Sequence, residues 1–276
     1  SWALYHFLRR QNHPVPFRKA IRVTITGLYY SNITPGATGG QPMEVYALKK
    51  DGVPIGISSS ALTVKFFSFQ LMLMVLGTAL WAIFPSFVNR QTDGTKWILI
   101  TGFVFNSFSV GLVLLLAINR RIVHFLIVLF VRAGTRLKLC KDPELAKARW
   151  EGNLDTFHAS VTMIRHRPGE LLMQLFISTV SIVCYASVVI AIYMGFGLSG
   201  ASPLELITMA ILLHISAAYT PLPGASGAQE GAFALFFRGL FPEASLFMAL
   251  LIWRFSTYYI SLMIGAGTTI FQSVRS

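Results

Sequence analysis

Four long uncharged runs limit what this chain can fold into. Each run reaches or exceeds the roughly 20 residues that a helix needs to cross a ~30 Å hydrocarbon core. The runs are Phe66 to Asn89, Trp97 to Asn119, Leu171 to Pro203 and Phe255 to Val274. Only 12% of the 276 residues are charged, where soluble domains carry roughly 25%. The sequence therefore predicts an all-α, polytopic membrane helix bundle.

The basic residues predict how the bundle is oriented. Most of the charge lies in three blocks, from Arg9 to Arg22, from Lys49 to Lys65 and from Arg120 to Arg167, with Arg275 at the end. The remaining loops carry Arg90, Lys96 and Arg238. Because cytoplasmic loops accumulate Lys and Arg, we place the three blocks on the cytoplasmic side.

Two apolar segments cannot be simple crossings in this orientation. Val23 to Leu48 would have both ends in the cytoplasm, and Leu204 to Phe241 would have both ends outside. We therefore expect two re-entrant hairpins that enter the membrane from opposite sides.

The two hairpins share a motif at their centres. Pro35 to Gln41 reads PGATGGQ and Pro223 to Gln229 reads PGASGAQ, with an acid soon after each, Glu44 and Glu230. Proline removes a backbone donor and glycine weakens a helix, so the chain must unwind there. Unwound backbone survives at membrane depth only inside protein or beside a wet cavity. Inverted repeats with two broken helices are typical of transporters, with the site at the repeat interface.

The breaks predict a lipid head-group site. The half-helix after each break would present free N–H groups and a positive dipole end to a phosphate, helped by the two glutamine side chains. The alternative is a bend that is merely hydrogen-bonded. The candidate lipid-binding residues are Pro35, Gly36, Gly39, Gly40, Gln41, Glu44, Pro223, Gly224, Gly227, Gln229, Glu230, Arg254 and Tyr258. We predict no catalytic residue, metal site or cofactor.

Ionisable residues within the apolar segments need partners. We expect Glu230 to pair with Arg254, either as part of a transport site or as a structural pin between helices. Lys65 and His214 are weaker candidates, and His214 is expected to be a hydrogen-bonded interhelical histidine.

The chain is predicted to be one integral membrane domain over residues 1–276, with an N-terminal piece missing. Its first half would be residues 1–131 and its second half 169–276. Residues 132–168 would connect them, either as a plain linker or as a basic amphipathic helix on the inner membrane face, with Leu154, Phe157, Val161 and Ile164 on its apolar side and Arg149, Arg165 and Arg167 nearby.

The segments SNITPGATGGQPMEVYALKKDGV, TPLPGASGAQEGAFALFF and WRFSTYY occur in this order. With them the chain resembles the lysylphosphatidylglycerol synthase transmembrane family, the flippase-like membrane domain of the multiple peptide resistance type. The resemblance implies a multi-pass protein of the bacterial cytoplasmic membrane that moves a polar-headed lipid between leaflets. In the best-known members that lipid is lysyl-phosphatidylglycerol, which gives resistance to cationic antimicrobial peptides.

The family's best-known members also carry a soluble domain that transfers lysine from lysyl-tRNA, and this sequence shows no such domain. We therefore expect a lipid translocase whose partners are membrane lipids, carrying lysyl-phosphatidylglycerol, a glycolipid or a polyprenyl phosphate lipid. One alternative is a phosphatidylglycerol lysyltransferase, which would need lysyl-tRNA, the one nucleic acid partner considered. Another is a membrane scaffold for a partner enzyme. Homo-oligomerisation stays open.

Overall fold

The computed structural model describes residues 1–119, 121–125, 128–129, 151–159, 161–162, 168–217 and 220–275. These residues form helices joined by short loops, and no strand occurs among them. The helices long and apolar enough to cross a membrane are Ile55–Ile83, Lys96–Ile118, Pro168–Gly195 and Glu243–Ile270. The prediction of an all-α membrane helix bundle is confirmed.

We number the helices in chain order. They are α1 Trp2–Arg10, α2 Phe17–Ile33, α3 Gly40–Lys50, α4 Ile55–Ile83, α5 Pro85–Gln91, α6 Lys96–Ile118, α7 Pro168–Gly195, α8 Pro203–Ala217, α9 Ala228–Phe237, α10 Glu243–Arg254 and α11 Ile260–Arg275. Short 3₁₀ turns, Pro35–Ala37 and Pro223–Ala225, separate α2 from α3 and α8 from α9. A π-helical turn, Phe255–Tyr259, joins α10 to α11.

Three predicted spans have different boundaries in the structure, and the third of the four runs ends at Gly195 rather than Pro203. The first begins at Ile55 rather than Phe66 and ends at Ile83, before Pro85 opens α5. The last begins at Glu243 rather than Phe255. The uncharged runs began just after Lys65 and Arg254, and both of these cations lie inside helices because each is paired with a carboxylate.

The segments α2–α3 and α8–α9 form the two expected hairpins, since the helices of each pair pack against each other. Lys19 near the start of α2 forms an ion pair with Asp51, directly after α3. The 11 residues of α3 and the 10 residues of α9 span only about 15 Å each, roughly half of a bilayer core.

The predicted cytoplasmic blocks meet at one end of the bundle. Arg10 at the end of α1 pairs with Glu170 in the first turn of α7, with Nε and Oε1 3.0 Å apart. Gly56 at the start of α4 lies so close to Thr156 that a Cβ there would overlap its side chain. Residues 151–159 are helical and Leu154 is buried. Residues 161–162 are also helical, whereas Arg149, Ile164, Arg165 and Arg167 of the predicted amphipathic connector lie outside the described residues.

The internal repeat extends beyond the motif. Pro35 and Pro223 are separated by the same 188 positions as Pro54 and Pro242 (35 to 223 and 54 to 242). Pro54 and Pro242 precede α4 and α10 with nearly identical dihedral angles, φ −57°, ψ 142° and φ −56°, ψ 146°. Each half thus places a broken hairpin, a proline and then a membrane-spanning helix in the same order.

The orientation predicts opposite labelling of two exposed sites. In a background with Cys140→Ser and Cys184→Ser, Lys50→Cys at the end of α3 should react with a membrane-impermeant maleimide only from the cytoplasmic side. Asp93→Cys, between α5 and α6, should react only from outside. Labelling of both from the same side of intact cells would overturn the topology.

Candidate functional site

The two breaks begin with the same turn and then diverge, since Thr38 is helical (φ −68°, ψ −24°) and Ser226 is extended (φ −60°, ψ 141°). Gly36 has φ +59° and ψ 23°, and Gly224 has φ +59° and ψ 18°. The next residues, Ala37 and Ala225, also have positive φ, 57° and 50°. Such left-handed conformations cannot continue an α-helix and favour glycine, which has no Cβ. The motif therefore stops α2 and α8 by the same turn, whereas α3 and α9 start from different N-cap conformations.

The structure brings the two breaks into contact, and Tyr258 lies at their junction. A Cβ on Gly224 would overlap the Tyr258 ring, and the Tyr258 hydroxyl donates a hydrogen bond to the Asn32 carbonyl oxygen at 3.4 Å. Asn32 also donates from Nδ2 to the Ser261 hydroxyl at 3.1 Å. The final helix thus ties both hairpins together, through two residues, Asn32 and Ser261, that the sequence analysis missed.

Arg254 organises the second break. Its Nε donates to Glu230 Oε1 at 2.6 Å and its Nη1 donates to Gln229 Oε1 at 2.9 Å. Both Nη atoms lie 3.4 Å from the Gly224 carbonyl oxygen, and the guanidinium stacks over the Tyr258 ring with 5.1 Å to its centroid. Arg254 is only 3% exposed. The predicted Glu230–Arg254 pair is confirmed.

The N-terminus of α9 is closed by a carboxylate of the chain itself. Glu230 Oε2 accepts the Gly227 N–H at 2.6 Å, and Gly227 has φ +85°. The acid thus caps the helix dipole while its other oxygen binds Arg254. We expected open donors and a free glutamine at both breaks; at this one Glu230 occupies the Gly227 donor and Arg254 occupies the Gln229 carbonyl.

The N-terminus of α3 is capped by a neutral hydroxyl instead of a carboxylate, while at both breaks the next two N–H groups, Gly40 and Gln41 or Ala228 and Gln229, have no acceptor among the described residues. Thr34 Oγ1 accepts the Gly39 N–H at 2.9 Å. The exposed Gln41 side chain has no partner among the described residues either. Backbone donors at a helix start, with a free amide beside them, are suited to an anion.

The acid of the first hairpin has a different partner. Lys65 Nζ lies 3.0 Å from both carboxylate oxygens of the buried Glu44. Gly27 makes this packing feasible, because a Cβ at that position would overlap the Glu44 side chain. Glu44 and Lys65 were both candidates in the sequence, but only the fold shows that they pair.

Two further polar features lie near the second hairpin. His214 was expected to be hydrogen-bonded, but its buried Nδ1 has no partner and its ring packs edge-on against Phe69 and Tyr185. The sequence analysis also missed Asn106, which donates to the Ile215 carbonyl oxygen at 3.2 Å. That bond attaches the last turn of α8 to α6, and an amide inside an apolar run was the signal for it.

A groove of about 450 Å³ runs beside the second break, between α6 and α9. Its walls include Trp97, Ile98 and Phe105 on one side and Gly231 and Leu235 on the other. These mostly apolar walls suit an acyl chain better than a polar head group. Within the described ranges, no three His, Cys, Asp or Glu residues come together as metal ligands would.

Comparison with known proteins supports this architecture at the family level. A model of the family described as the lysylphosphatidylglycerol synthase TM region matches residues 1–265. A UPF0104 membrane protein of Archaeoglobus fulgidus is 22% identical over 279 residues, which cover 95% of this chain and 78% of the relative. No solved structure matches the chain.

The matched glycines should respond differently to the same substitution. Gly36→Ala meets no atom nearer than 3.9 Å, so it should cost only the positive-φ strain, about 1 kcal/mol. Gly224→Ala has the same strain and also displaces Tyr258, so we expect a clearly larger loss of stability. Thermal unfolding of the two purified variants in one detergent measures this, and equal losses would contradict the Gly224–Tyr258 contact.

Proposed function

We propose, from the premise that the chain belongs to the lysylphosphatidylglycerol synthase transmembrane family, that it is a lipid translocase. It would move a phosphate-bearing lipid between the leaflets of a bacterial cytoplasmic membrane. The observation that carries the proposal is the contact between the two broken hairpins, of which only the second has a carboxylate at its helix start. In transporters, broken helices of this kind hold the substrate near the bilayer midplane.

The phosphate is proposed to bind at the first break. There the free N–H groups of Gly40 and Gln41 and the Gln41 side chain form a donor set that no carboxylate of the described chain occupies. At the second break Glu230 already caps the helix, so an anion arriving there would face an acid. This asymmetry favours one head-group phosphate per molecule.

A cationic group on the lipid would have to exchange with an existing ion pair. Glu44 is held by Lys65, and Glu230 is held by Arg254. A lysyl ammonium entering the site would compete with Lys65, whose side chain is 30% exposed, more easily than with the 3% exposed Arg254. Lysyl-phosphatidylglycerol is therefore a fitting cargo, and its delivery to the outer leaflet would lower the surface negative charge.

The acyl chains are proposed to remain on the lipid side. The apolar groove beside α9 reaches Ala228, the first residue after the second break. A lipid with its tails in this groove would bring its head group to the breaks without placing its tails in water. Access from the two sides would alternate by rocking of the two halves.

The alternative is phosphatidylglycerol lysyltransferase activity, which the name of the family suggests. It predicts that purified protein mixed with lysyl-tRNA and phosphatidylglycerol forms labelled lysyl-lipid. Formation of that product at a catalytic rate would favour the enzyme over the translocase.

The translocase proposal predicts that the purified protein makes inner-leaflet head groups accessible in proteoliposomes. Phosphatidylglycerol with a fluorescent head group and an impermeant quencher measures this. Gln41→Leu should lower the rate at which inner-leaflet head groups become accessible by about tenfold. This factor corresponds to one lost hydrogen bond to a charged group. Thr268→Leu, a change at a half-buried position elsewhere on α11, should leave the rate unchanged. Equal rates for both variants would contradict the proposed phosphate position.

A double-mutant cycle separates a structural pin from a functional pair. Arg254→Met should destabilise the protein by about 3–5 kcal/mol, because it leaves Glu230 and Gln229 without their partner. Adding Glu230→Gln should restore part of that loss. If the restored double variant still fails to translocate lipid, the pair acts in transport, whereas full activity would show that it only holds the helices together.

A further inference from the structure

A polar cleft, separate from the apolar groove, lies at the end of α9 that is opposite the break. It measures about 540 Å³ and is lined by residues of three separate segments. Arg90 and Gln91 come from the end of α5, Tyr193 and Glu205 from α7 and α8, and Arg238 directly follows α9. The predicted orientation places the cleft at the external surface.

Two of the three basic residues predicted for the external loops line this cleft. Those loops carry Arg90, Lys96 and Arg238, and the two arginines both line it. Neither arginine forms an ion pair with a carboxylate of the described residues. Arg238 donates one hydrogen bond from Nη2 to the Asp93 carbonyl oxygen at 3.4 Å. Two unpaired guanidiniums beside one cavity are suited to a phosphate, which arginine binds through paired N–H groups.

The Gln91 amide also lines the cleft without a hydrogen-bond partner among the described residues. Gln91 is 8% exposed and lines the cavity, yet its side chain makes no hydrogen bond within the described chain. It packs against Gly239, where a Cβ would overlap its amide group. Its amide group carries two N–H donors that a ligand in the cleft could use.

A hydroxyl of the wall is available as a donor. The Tyr193 oxygen accepts the Ala201 N–H at 3.1 Å, so its own hydrogen is free to point into the cleft. The acid of the wall is partly engaged, because Glu205 Oε2 accepts from both the N–H and the hydroxyl of Ser202, at 2.8 and 2.9 Å. The side chains with unused hydrogen-bonding groups are thus mostly donors.

The surroundings favour a lipid over a free ion. Trp97 begins α6 beside this loop region and is 67% exposed, Met194 near the end of α7 is 67% exposed, and Leu204 at the start of α8 is 45% exposed. Exposed apolar residues with a tryptophan at a helix end mark the head-group level of a bilayer. An anion bound between Arg90 and Arg238 would lie at the depth of lipid phosphates.

We propose that this cleft is a second binding site, for the phosphodiester of an anionic lipid head group, formed by Arg90, Arg238, Gln91 and Tyr193. It is separate from the broken helices and does not depend on translocation. One phosphate would be held by the two guanidiniums, with the Gln91 amide and the Tyr193 hydroxyl completing its donor set.

The test is binding of dihexanoyl phosphatidylglycerol to the purified full chain by isothermal titration. Arg90→Gln and Arg238→Gln should each weaken binding by about tenfold or more, the effect of one lost charged hydrogen bond. Lys96→Gln removes the same charge from a neighbouring external position outside the cleft lining and should change binding less than twofold. Equal weakening by all three would show a general surface-charge effect and overturn the site.

Two further measurements identify the ligand and exclude misfolding as the cause of weaker binding. Gln91→Leu removes the unpaired amide, so it should keep the unfolding temperature while lowering affinity several-fold, and unchanged affinity would overturn the donor set. Inorganic phosphate should compete only weakly; competition as strong as that of the lipid would assign the cleft to free phosphate instead. If the protein binds the lipid at this cleft but does not move lipid between leaflets in proteoliposomes, only the translocase proposal is contradicted.

Discussion

The hydrogen-bonded ion pair of Arg254 and Glu230 is the interaction on which the second half of the structure depends. A chain that unwinds inside the membrane exposes carbonyl and N–H groups that lipid cannot satisfy. Arg254 contacts the Gly224 carbonyl oxygen, and Glu230 takes the Gly227 N–H. The pair thus neutralises two charges and satisfies two backbone groups of the same break. Its stacking on Tyr258 extends the arrangement to the first hairpin.

The two halves share the first turn of their breaks but differ in where they place charge. Relative to the matched prolines, Glu44 comes two positions later than Glu230. Glu230 therefore lies in the first turn of α9 and caps it, whereas Glu44 lies in the second turn of α3, cannot reach the helix start, and pairs with Lys65 instead. A displacement of two residues thus places a carboxylate at one helix N-terminus and leaves the other with the neutral Thr34 hydroxyl.

The sequence was sufficient for the features that depend on local chemistry. Proline and glycine fixed the position of both breaks, and the need to pair buried charges predicted Glu230 with Arg254. The span boundaries were less predictable. In the sequence, a cation inside a helix cannot be distinguished from a cation in a loop until the partner of that cation is known, as with Lys65. Contacts such as Tyr258 with Asn32 join residues over 200 positions apart, and no local pattern reports them.

One face of α9 connects the two proposed sites. Ala228, Gly231, Ala232 and Leu235 recur at helical spacing and all line the apolar groove that begins at the second break. Three residues further along the chain, Arg238 lines the polar cleft. One face of α9 thus carries small and apolar residues, and an arginine follows at the end of the helix. This arrangement matches a lipid whose tails lie against the helix and whose phosphate lies at the arginine. The short helix required by the re-entrant fold is therefore also long enough, at about 15 Å, to separate a surface head-group site from a site at the breaks.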